Sequence, residues 1–477
     1  MESNRRDFLK AAGVGSLGLM GAGLLSSCSN KAEAQSHLNH IEEQANRQYT
    51  PQFNMHGFAA PALDVVRIGA TGLGGRGSGN MRRLAQIEGV EIRALNDLDP
   101  GRTQAAAESI SHFGFNPELY SGHEDEWKKM CEQDDLDLII VGTPWHLHAP
   151  QAIYAMEQGK HVAVEVPIGV TVEECWKLVE TSERTRKHCM MMSNPNYGDF
   201  NMMVLGMARD GFLGEIIHGE GAYIHDLMRS HNFTQRYHNM WRLKENATRD
   251  GNLYPTHGLG SLCQAMDINN GDQMDFIVSV SSNDFMMGET AKELAAADPV
   301  FEPFVGMNFR GNMNTSIIKT KKGRTIMLQH DVTSPRPGVR FDLLSGTKGI
   351  VQNRPPRFAH DHDGWVSDTE FTEIQEKYRP EISKRVGDIS RQIGGHGGID
   401  TMMSWRLVDC LRNGIPLDMS VYDGVLWSVI APLSEWSVAN NGRPINVPDF
   451  TAGNWQTNDR LMDIELVHGG NTGIKPI

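Results

Sequence analysis

The sequence predicts an α/β chain in which a doubly wound parallel sheet is followed by an α+β domain with a mostly antiparallel open sheet. Three observations predict it. Short apolar runs alternate with amphipathic stretches from Val65 to Arg186. A glycine-rich turn follows the first of those runs. After about residue 195, period-2 alternation replaces that texture.

The apolar runs Val65–Gly69, Val90–Asn96, Leu136–Gly142, His161–Val166 and His188–Met192 read as strands buried on both faces. The stretches Ser78–Glu88, Thr103–His112, Glu124–Glu132, Pro150–Gln158 and Val172–Arg186 read as the helices between them. In the second domain a helix is predicted over Phe200–Asp210 and a strand over Glu215–His225. Further strands are expected at Phe276–Val280, Thr315–Lys319, Thr325–His330 and Arg340–Leu344, with helices at Met402–Arg412 and Tyr422–Ala439. Residues Pro355–Arg385 are charged and aromatic without a clear period. They are expected to form an excursion or a subunit contact, which leaves a homo-oligomer open.

Residues 1–28 have the character of an export signal. Asn4-Arg5-Arg6-Asp7-Phe8-Leu9-Lys10 precedes a glycine- and alanine-rich apolar run, too short and too glycine-rich for a stable spanning helix. The paired arginines resemble a twin-arginine signal, which exports folded proteins. Leu25-Ser26-Ser27-Cys28 resembles a lipoprotein cleavage box with Cys28 as the lipidated residue; a plain cleaved signal is the alternative. Membrane association is then expected only through that lipid, in a periplasmic or membrane-anchored protein. Residues 29–60 are polar, show no apolar period and are expected to form an arm or tether. Residues 61–194 form the first domain and 195–477 the second.

A net charge of −14 argues against nucleic acid and anionic membrane surfaces as partners. Beyond Cys28, the cysteines 131, 175, 189, 263 and 410 are scattered without CxxC spacing, so neither a disulfide framework nor a zinc site is expected. His146 and His148 share one stretch without a third ligand, and His360-Asp361-His362-Asp363 reads as a solvated loop; no metal is expected. The 25 methionines read chiefly as core filler.

Gly72, Gly74 and Gly77 fit GxGxxG between a strand and a helix, the pattern of a Rossmann dinucleotide site. Asp97 ends the next strand 20 residues beyond Gly77, where an acid binds the ribose hydroxyls. A carboxylate there repels a 2′-phosphate and favours NAD, whereas the nearby Arg102 keeps NADP open.

The string Gly142-Thr143-Pro144-Trp145-His146-Leu147-His148-Ala149-Pro150 ends the strand Leu136–Gly142 and resembles the TPxxxH loop of the Gfo/Idh/MocA oxidoreductases. In that family the next strand ends in Glu-Lys-Pro with a lysine at the catalytic centre, and here Glu165-Val166-Pro167 stands instead. Longer strings are similar to glycoside hydrolase family 109, the NAD-dependent α-N-acetylgalactosaminidases. They include Gly221–Leu227, Asn239–Lys244, Gly251–Gly258, Asp331–Pro337 and Gly394-Gly395-His396-Gly397-Gly398. The resemblance implies that the cofactor meets Gly75, Arg76, Asp97, Trp145, His146, Leu147, His148, Glu165, Val166 and Asn194. It implies that the sugar meets Tyr223, Arg242, Tyr254, Pro255, Thr256 and His257. Two departures stand out: Asn194-Pro195-Asn196 precedes Tyr197 where the family tends to have cysteines, and Gly338 stands where it usually has a tyrosine.

The family chemistry oxidises C3 of a small glycoside or glycan, eliminates the aglycone across C2, adds water and returns the hydride. His257 and Tyr254 are the expected acid/base centre, with Tyr223 and Arg242 as sugar anchors. For His257 the alternative is a helix N-terminal histidine satisfying backbone groups. His396, between glycine pairs, is a further residue within reach of a ligand. Two other functions stay in view: an exported sugar oxidoreductase with non-dissociating NAD(P), and a sugar-binding lipoprotein with a structural cofactor. Val166 weighs against the first of these, and the Tyr254–His257 run against the second.

Overall fold

The structure, a computed structural model, describes residues 27–475, with side chains from residue 33 onward. The export signal read at the N-terminus and the side chain of Cys28 lie outside what is described.

The first sheet holds β1 (Val66–Thr71), β2 (Val90–Asp97), β3 (Glu118–Ser121), β4 (Leu138–Val141), β5 (His161–Val164) and β6 (Cys189–Met191). Their order is β3-β2-β1-β4-β5-β6, and every pairing is parallel. This is the Rossmann order, whose reversal between β1 and β4 opens a crevice at the carboxyl ends of the strands. Leu138, Ile139, Ile140 and Val141 are all buried, because helices cover both faces. Strand β3 escapes a hydrophobic reading: it is a short edge strand whose Glu118 and Leu119 are exposed.

The intervening helices carry their own start signals. Asp99 accepts a hydrogen bond from Gly101 N ahead of Pro100–Ile110, and Thr171 with Glu174 forms a capping box for Val172–Thr185. The helix expected from Pro150 instead runs Trp145–Glu157, so Trp145 to His148 form its first turn rather than a loop.

The second sheet holds β7 (Ile216–Ile224), β8 (Met274–Ser281), β9 (Asn314–Thr320), β10 (Thr325–Asp331), β11 (Val339–Gly346), β12 (Gly349–Asn353), β13 (Pro356–His360) and β14 (Ile445–Asn446). It runs β13-β12-β11-β7-β10-β9-β8-β14 and is antiparallel except at β10–β7. Helix Thr256–Ala265 packs along β7 and helix Val421–Ala439 along β8. Closeness at β7 depends on glycine: a Cβ on Gly258 would stand 2.6 Å from Ala222 N. Residues 355–385, expected as an excursion or a subunit contact, include a strand and a helix of their own. Strand β13 leads to the helix Asp368–Lys377, which buries no residue fully but stacks Phe371 on Phe358 with ring centroids 4.6 Å apart.

Two later helices brace the domains together. Ile399–Asn413 packs on helix Gly75–Leu84 and on β1, and Val421–Ala439 touches β6 as well as β8. One apolar core therefore runs through both sheets, with methionines such as Met191, Met202 and Met403 inside it. The cysteines 131, 175, 189, 263 and 410 are buried free thiols, and burial pushes Cys131 and Cys189 up to about 12. Among the described residues no helix is long and apolar enough to cross a membrane.

The tether expectation for residues 29–60 is corrected. Residues Ser27–Ala45 form a helix whose Ala34, Leu38, Ile41 and Ala45 are buried at helical spacing. It docks on helices Val172–Thr185 and Val421–Ala439. Trp176 Nε1 donates to Gln44 O at 3.0 Å, and Tyr49 Oη donates to Glu183 Oε2 at 2.6 Å. Two of the four buried side chains are alanines among polar neighbours, which hides the stripe from a hydropathy reading. Ile41→Ala is expected to cost about 2–4 kcal/mol of stability, the usual loss for a buried isoleucine, measured by urea unfolding.

Candidate active site

The carboxyl ends of β1, β2, β4 and β5 open into a cavity of about 1340 Å³ that the second domain closes from the far side. Gly72 has φ +80°, and a Cβ on it would stand 2.5 Å from Thr143 N. A Cβ on Gly77 would overlap the Gly72 carbonyl oxygen, so the helix packs on the turn only as glycine. Around Gly74 the space is open, the nearest atom to a Cβ there being Arg102 Nη1 at 3.9 Å. No side chain caps the helix at Gly74. A positive dipole end with free N–H groups facing open space suits a pyrophosphate.

Asp97 is fixed beside that turn. Its Oδ2 accepts from Leu73 N at 2.8 Å and its Oδ1 from Asp99 N at 3.0 Å. Arg102 Nη1 lies 3.9 Å from the same carboxylate. From the second domain Arg236 reaches across, its Nη2 3.1 Å from the position of a Cβ on Gly75. Trp145, His146 and Leu147 line one wall, with His146 exposed. His148 is buried behind them, its ring nitrogens 2.6 Å from Pro167 O and 2.7 Å from Thr143 O. It ties the end of β4 to the end of β5. Among the described residues no three His, Cys, Asp or Glu side chains converge as a metal site would require.

The floor is an ion cluster. Arg76 donates from Nη2 to Glu165 Oε1 at 2.9 Å and from Nη1 to Asp400 Oδ2 at 2.8 Å. Asn80 Nδ2 donates to the same Glu165 oxygen at 2.8 Å. Asn194 Nδ2 donates to Asp400 Oδ1 at 2.6 Å, and His396 Nδ1 lies 2.9 Å from Asp400 Oδ2. Burial works against the Asp400 charge, but His396, Arg76 and Arg83 hold its carboxyl well below the usual range. Asn194 Oδ1 is buried at the cavity edge without a partner among the described residues, an acceptor left for a ligand. Val166 is buried beside Glu165.

The opposite wall is aromatic. Tyr223 on β7 and Tyr254 before helix Thr256–Ala265 lie with ring centroids 4.0 Å apart, and the His257 ring sits 5.0 Å from Tyr254. Trp145 meets Trp241 at 5.1 Å and Tyr254 at 5.7 Å. The Arg242 guanidinium lies 5.3 Å from the Trp145 and Trp241 centroids. Burial opposes its charge, yet the Tyr223, Tyr254 and Tyr237 phenols leave its pKa raised. Burial, then Arg340 and Arg76, hold the His257 imidazole well below its usual pKa, and its buried Nδ1 has no partner among the described residues.

The structure therefore gathers most of the residues read from the sequence. Gly72, Gly74, Gly75, Arg76, Asp97, Trp145–His148, Glu165, Val166, Asn194, Tyr223, Arg242, Tyr254 and His257 all line one cavity. Pro255, Thr256 and Gly77 do not line it; they are buried supports behind the wall. Sequence reasoning missed Trp127, Tyr237, Trp241, Arg236, Arg340 and Arg354 as lining residues, and Asp400 as the anchor of His396. Only the glycines around His396 carried a signal, and they all adopt positive φ, as does His396 itself.

The family model "Glycosyl hydrolase 109, C-terminal domain" matches residues 197–457, and "Oxidoreductase family, NAD-binding Rossmann fold" matches 66–193. A glycosyl hydrolase family 109 protein of Shewanella pealeana is 42% identical over 466 residues, covering 97% of this chain and 99% of its own. The chain belongs to glycosyl hydrolase family 109. Another relative, the alpha-N-acetylgalactosaminidase of Shewanella oneidensis, is 42% identical over 459 residues, 95% of this chain and 97% of its own. Solved structures share the fold. An NAD-binding oxidoreductase from Klebsiella pneumoniae aligns with TM-score 0.61 at 17% identity, over 81% of this chain and all of its own. A levoglucosan dehydrogenase in complex with NADH and levoglucosan aligns with TM-score 0.60 at 17% identity, over 80% of this chain and all of its own.

This family 109 chain thus couples a Rossmann nucleotide crevice to an aromatic wall in one cavity. Gly77→Ala is expected to abolish co-purification of a nicotinamide dinucleotide, whereas Arg236→Ala keeps binding but loses the dinucleotide roughly tenfold faster on gel filtration. Chromatography of the acid-released nucleotide checks both.

Proposed function

We propose that this family 109 enzyme is an α-N-acetylgalactosaminidase that keeps NAD bound through a redox-neutral cycle at C3 and C2 of the sugar. The observation that carries the reading is the position of Tyr223, Tyr254 and His257 in the same cavity as the glycine turn and Asp97. Held by the glycine turn, Asp97 and Asn194, a nicotinamide dinucleotide would supply the hydride acceptor for C3 with no net redox change over the cycle. NAD is favoured because the Asp97 carboxylate, held beside the turn by Leu73 N, would repel a 2′-phosphate.

The chain's own residues supply the proton transfers. His257 is held neutral with an unpartnered Nδ1, which makes it a proton acceptor. Burial, then the neighbouring Tyr223 phenol, push the Tyr254 pKa far above its ordinary value, so Tyr254 stays a donor. With C3 at the ketone level the C2 hydrogen is acidic, and a base at the His257 position removes it as the C1–O bond breaks. His396 lines the same cavity beside Asp400, and in this reading it protonates the leaving oxygen and then deprotonates the incoming water. Arg242 and the faces of Trp145 and Tyr254 hold the ring.

The oxidoreductase alternative is less well supported: no lysine lines the cavity among the described residues, and Val166 offers no proton. A cycle without cofactor exchange also suits export in the folded state by the twin-arginine route, with Cys28 as lipid anchor.

Purified enzyme without added NAD is expected to release p-nitrophenol from its α-N-acetylgalactosaminide over many turnovers. His257→Ala is expected to lower kcat at least 100-fold with NAD still bound. Near wild-type turnover by that variant would refute the assignment.

A further inference from the structure

We propose that the glycan this enzyme accepts carries an anionic substituent, a sulfate ester or a carboxylate, on or beside the sugar at the Tyr223–Tyr254 wall, received by Arg340 and Arg354. The proposal rests on the glycosidase reading above and names the substrate class of that site.

The chain as a whole is acidic, with 59 Asp and Glu against 45 Lys and Arg. The cavity inverts that balance on one side only. Every ionisable lining residue contributed from position 195 onward is Arg, His or Tyr, and none is Asp or Glu. The lining carboxylates Asp97, Asp99, Glu124 and Glu165 all belong to the nucleotide-binding part, and Glu165 is paired with Arg76. A neutral sugar presents hydroxyls that both donate and accept, and binding sites usually meet them with carboxylates as well as cations. A wall of guanidinium, imidazole and phenol groups is rich in donors and matches a ligand rich in acceptors.

Of the four lining arginines contributed from position 195 onward, two have other work. Arg236 lies over Gly75 at the turn, and Arg242 is sandwiched among Trp145, Tyr237 and Trp241. Arg340 and Arg354 remain. Arg340 Nη1 donates to Ile224 O and Val339 O at 3.0 Å each, which fixes the guanidinium 4.2 Å from the Tyr223 centroid. Its Nε and Nη2 have no hydrogen-bond partner among the described residues, and neither Arg340 nor Arg354 pairs with a carboxylate there. Gly338, two residues before Arg340 and also lining the cavity, leaves its own position open: a Cβ on it would meet only Ile224 O, at 3.3 Å. An aligned cation with free N–H groups beside a sugar-binding phenol is a seat for an oxyanion, and charge-assisted bonds of this kind are worth roughly ten-fold or more in affinity.

The test uses the NAD-loaded enzyme, so that the phosphates are already satisfied. Calorimetry compares N-acetylgalactosamine with its 4-sulfate, its 6-sulfate and galacturonic acid, at low salt and at about 0.5 M salt. At least one anionic sugar is expected to bind tenfold or more tightly than the neutral one, with the preference shrinking in high salt. Preference for the sulfates alone, or for the uronic acid alone, identifies the source of the charge. In Arg354→Gln, an exposed position that tolerates the change, the ratio of anionic to neutral affinity is expected to fall at least threefold; with Arg340→Gln added it approaches one. Neutral sugar binding as tightly as every anionic one overturns the proposal, as does a ratio that neither variant moves. Because binding is read directly, an anionic preference without any glycoside cleavage would sink the glycosidase reading and leave the subsite standing. Cleavage of neutral glycosides with no anionic preference would do the reverse.

Discussion

The site depends on one charge arrangement: the Arg76 guanidinium held between Glu165 at the end of β5 and Asp400 at the start of helix Ile399–Asn413. Arg76 itself is the second residue of the helix that follows the glycine turn. One cation therefore links the glycine turn, the end of β5 at Glu165 and the second domain at Asp400. Buried ion pairs contribute little net stability because desolvation offsets attraction, but breaking one leaves a stranded charge, which makes them efficient at fixing geometry. Here Asn80 and Asn194 satisfy remaining lone pairs of the two carboxylates, so the cluster is closely determined.

The sugar-side wall has a different origin, in backbone proximity rather than charge. Gly221 on β7 and Gly258 on helix Thr256–Ala265 let helix and strand approach until Tyr223 and Tyr254 nearly stack and His257 follows. Side chains on those glycines would push the helix away and separate the phenols. Cluster and wall are separate constructions, joined because helices Ile399–Asn413 and Val421–Ala439 brace the second domain against the first. That bracing makes the cavity one chamber instead of two half-sites.

Much of this was legible in the sequence where chemistry and periodicity coincide. The Rossmann strands are apolar runs, and the glycine turn sits between strand and helix with an acid 20 residues on, the context that marks a nucleotide crevice. Elements were lost where burial is weak or shared. Strand β3 is half exposed, β12 and β13 lie at the sheet edge, and the docked N-terminal helix buries alanines that no hydropathy reading picks out. The resemblance of the Tyr254–His257 string located the wall, but Arg340, Arg354 and Tyr237 enter the cavity from segments distant in the chain with no motif of their own. Asp400 looks like any acid in the first turn of a helix, and only the fold shows that it holds His396 and Arg76 together.

The proposed redox-neutral elimination would use the nucleotide crevice, the neutral imidazole and the high-pKa phenol of one chamber together, and it makes the C2 hydrogen the decisive atom. The most direct measurement is cleavage of an N-acetylgalactosaminide in D₂O, with the released sugar analysed by NMR and mass spectrometry. The account requires one carbon-bound deuterium, at C2, in the product of each turnover. Released sugar that keeps its original hydrogen at C2 would contradict it.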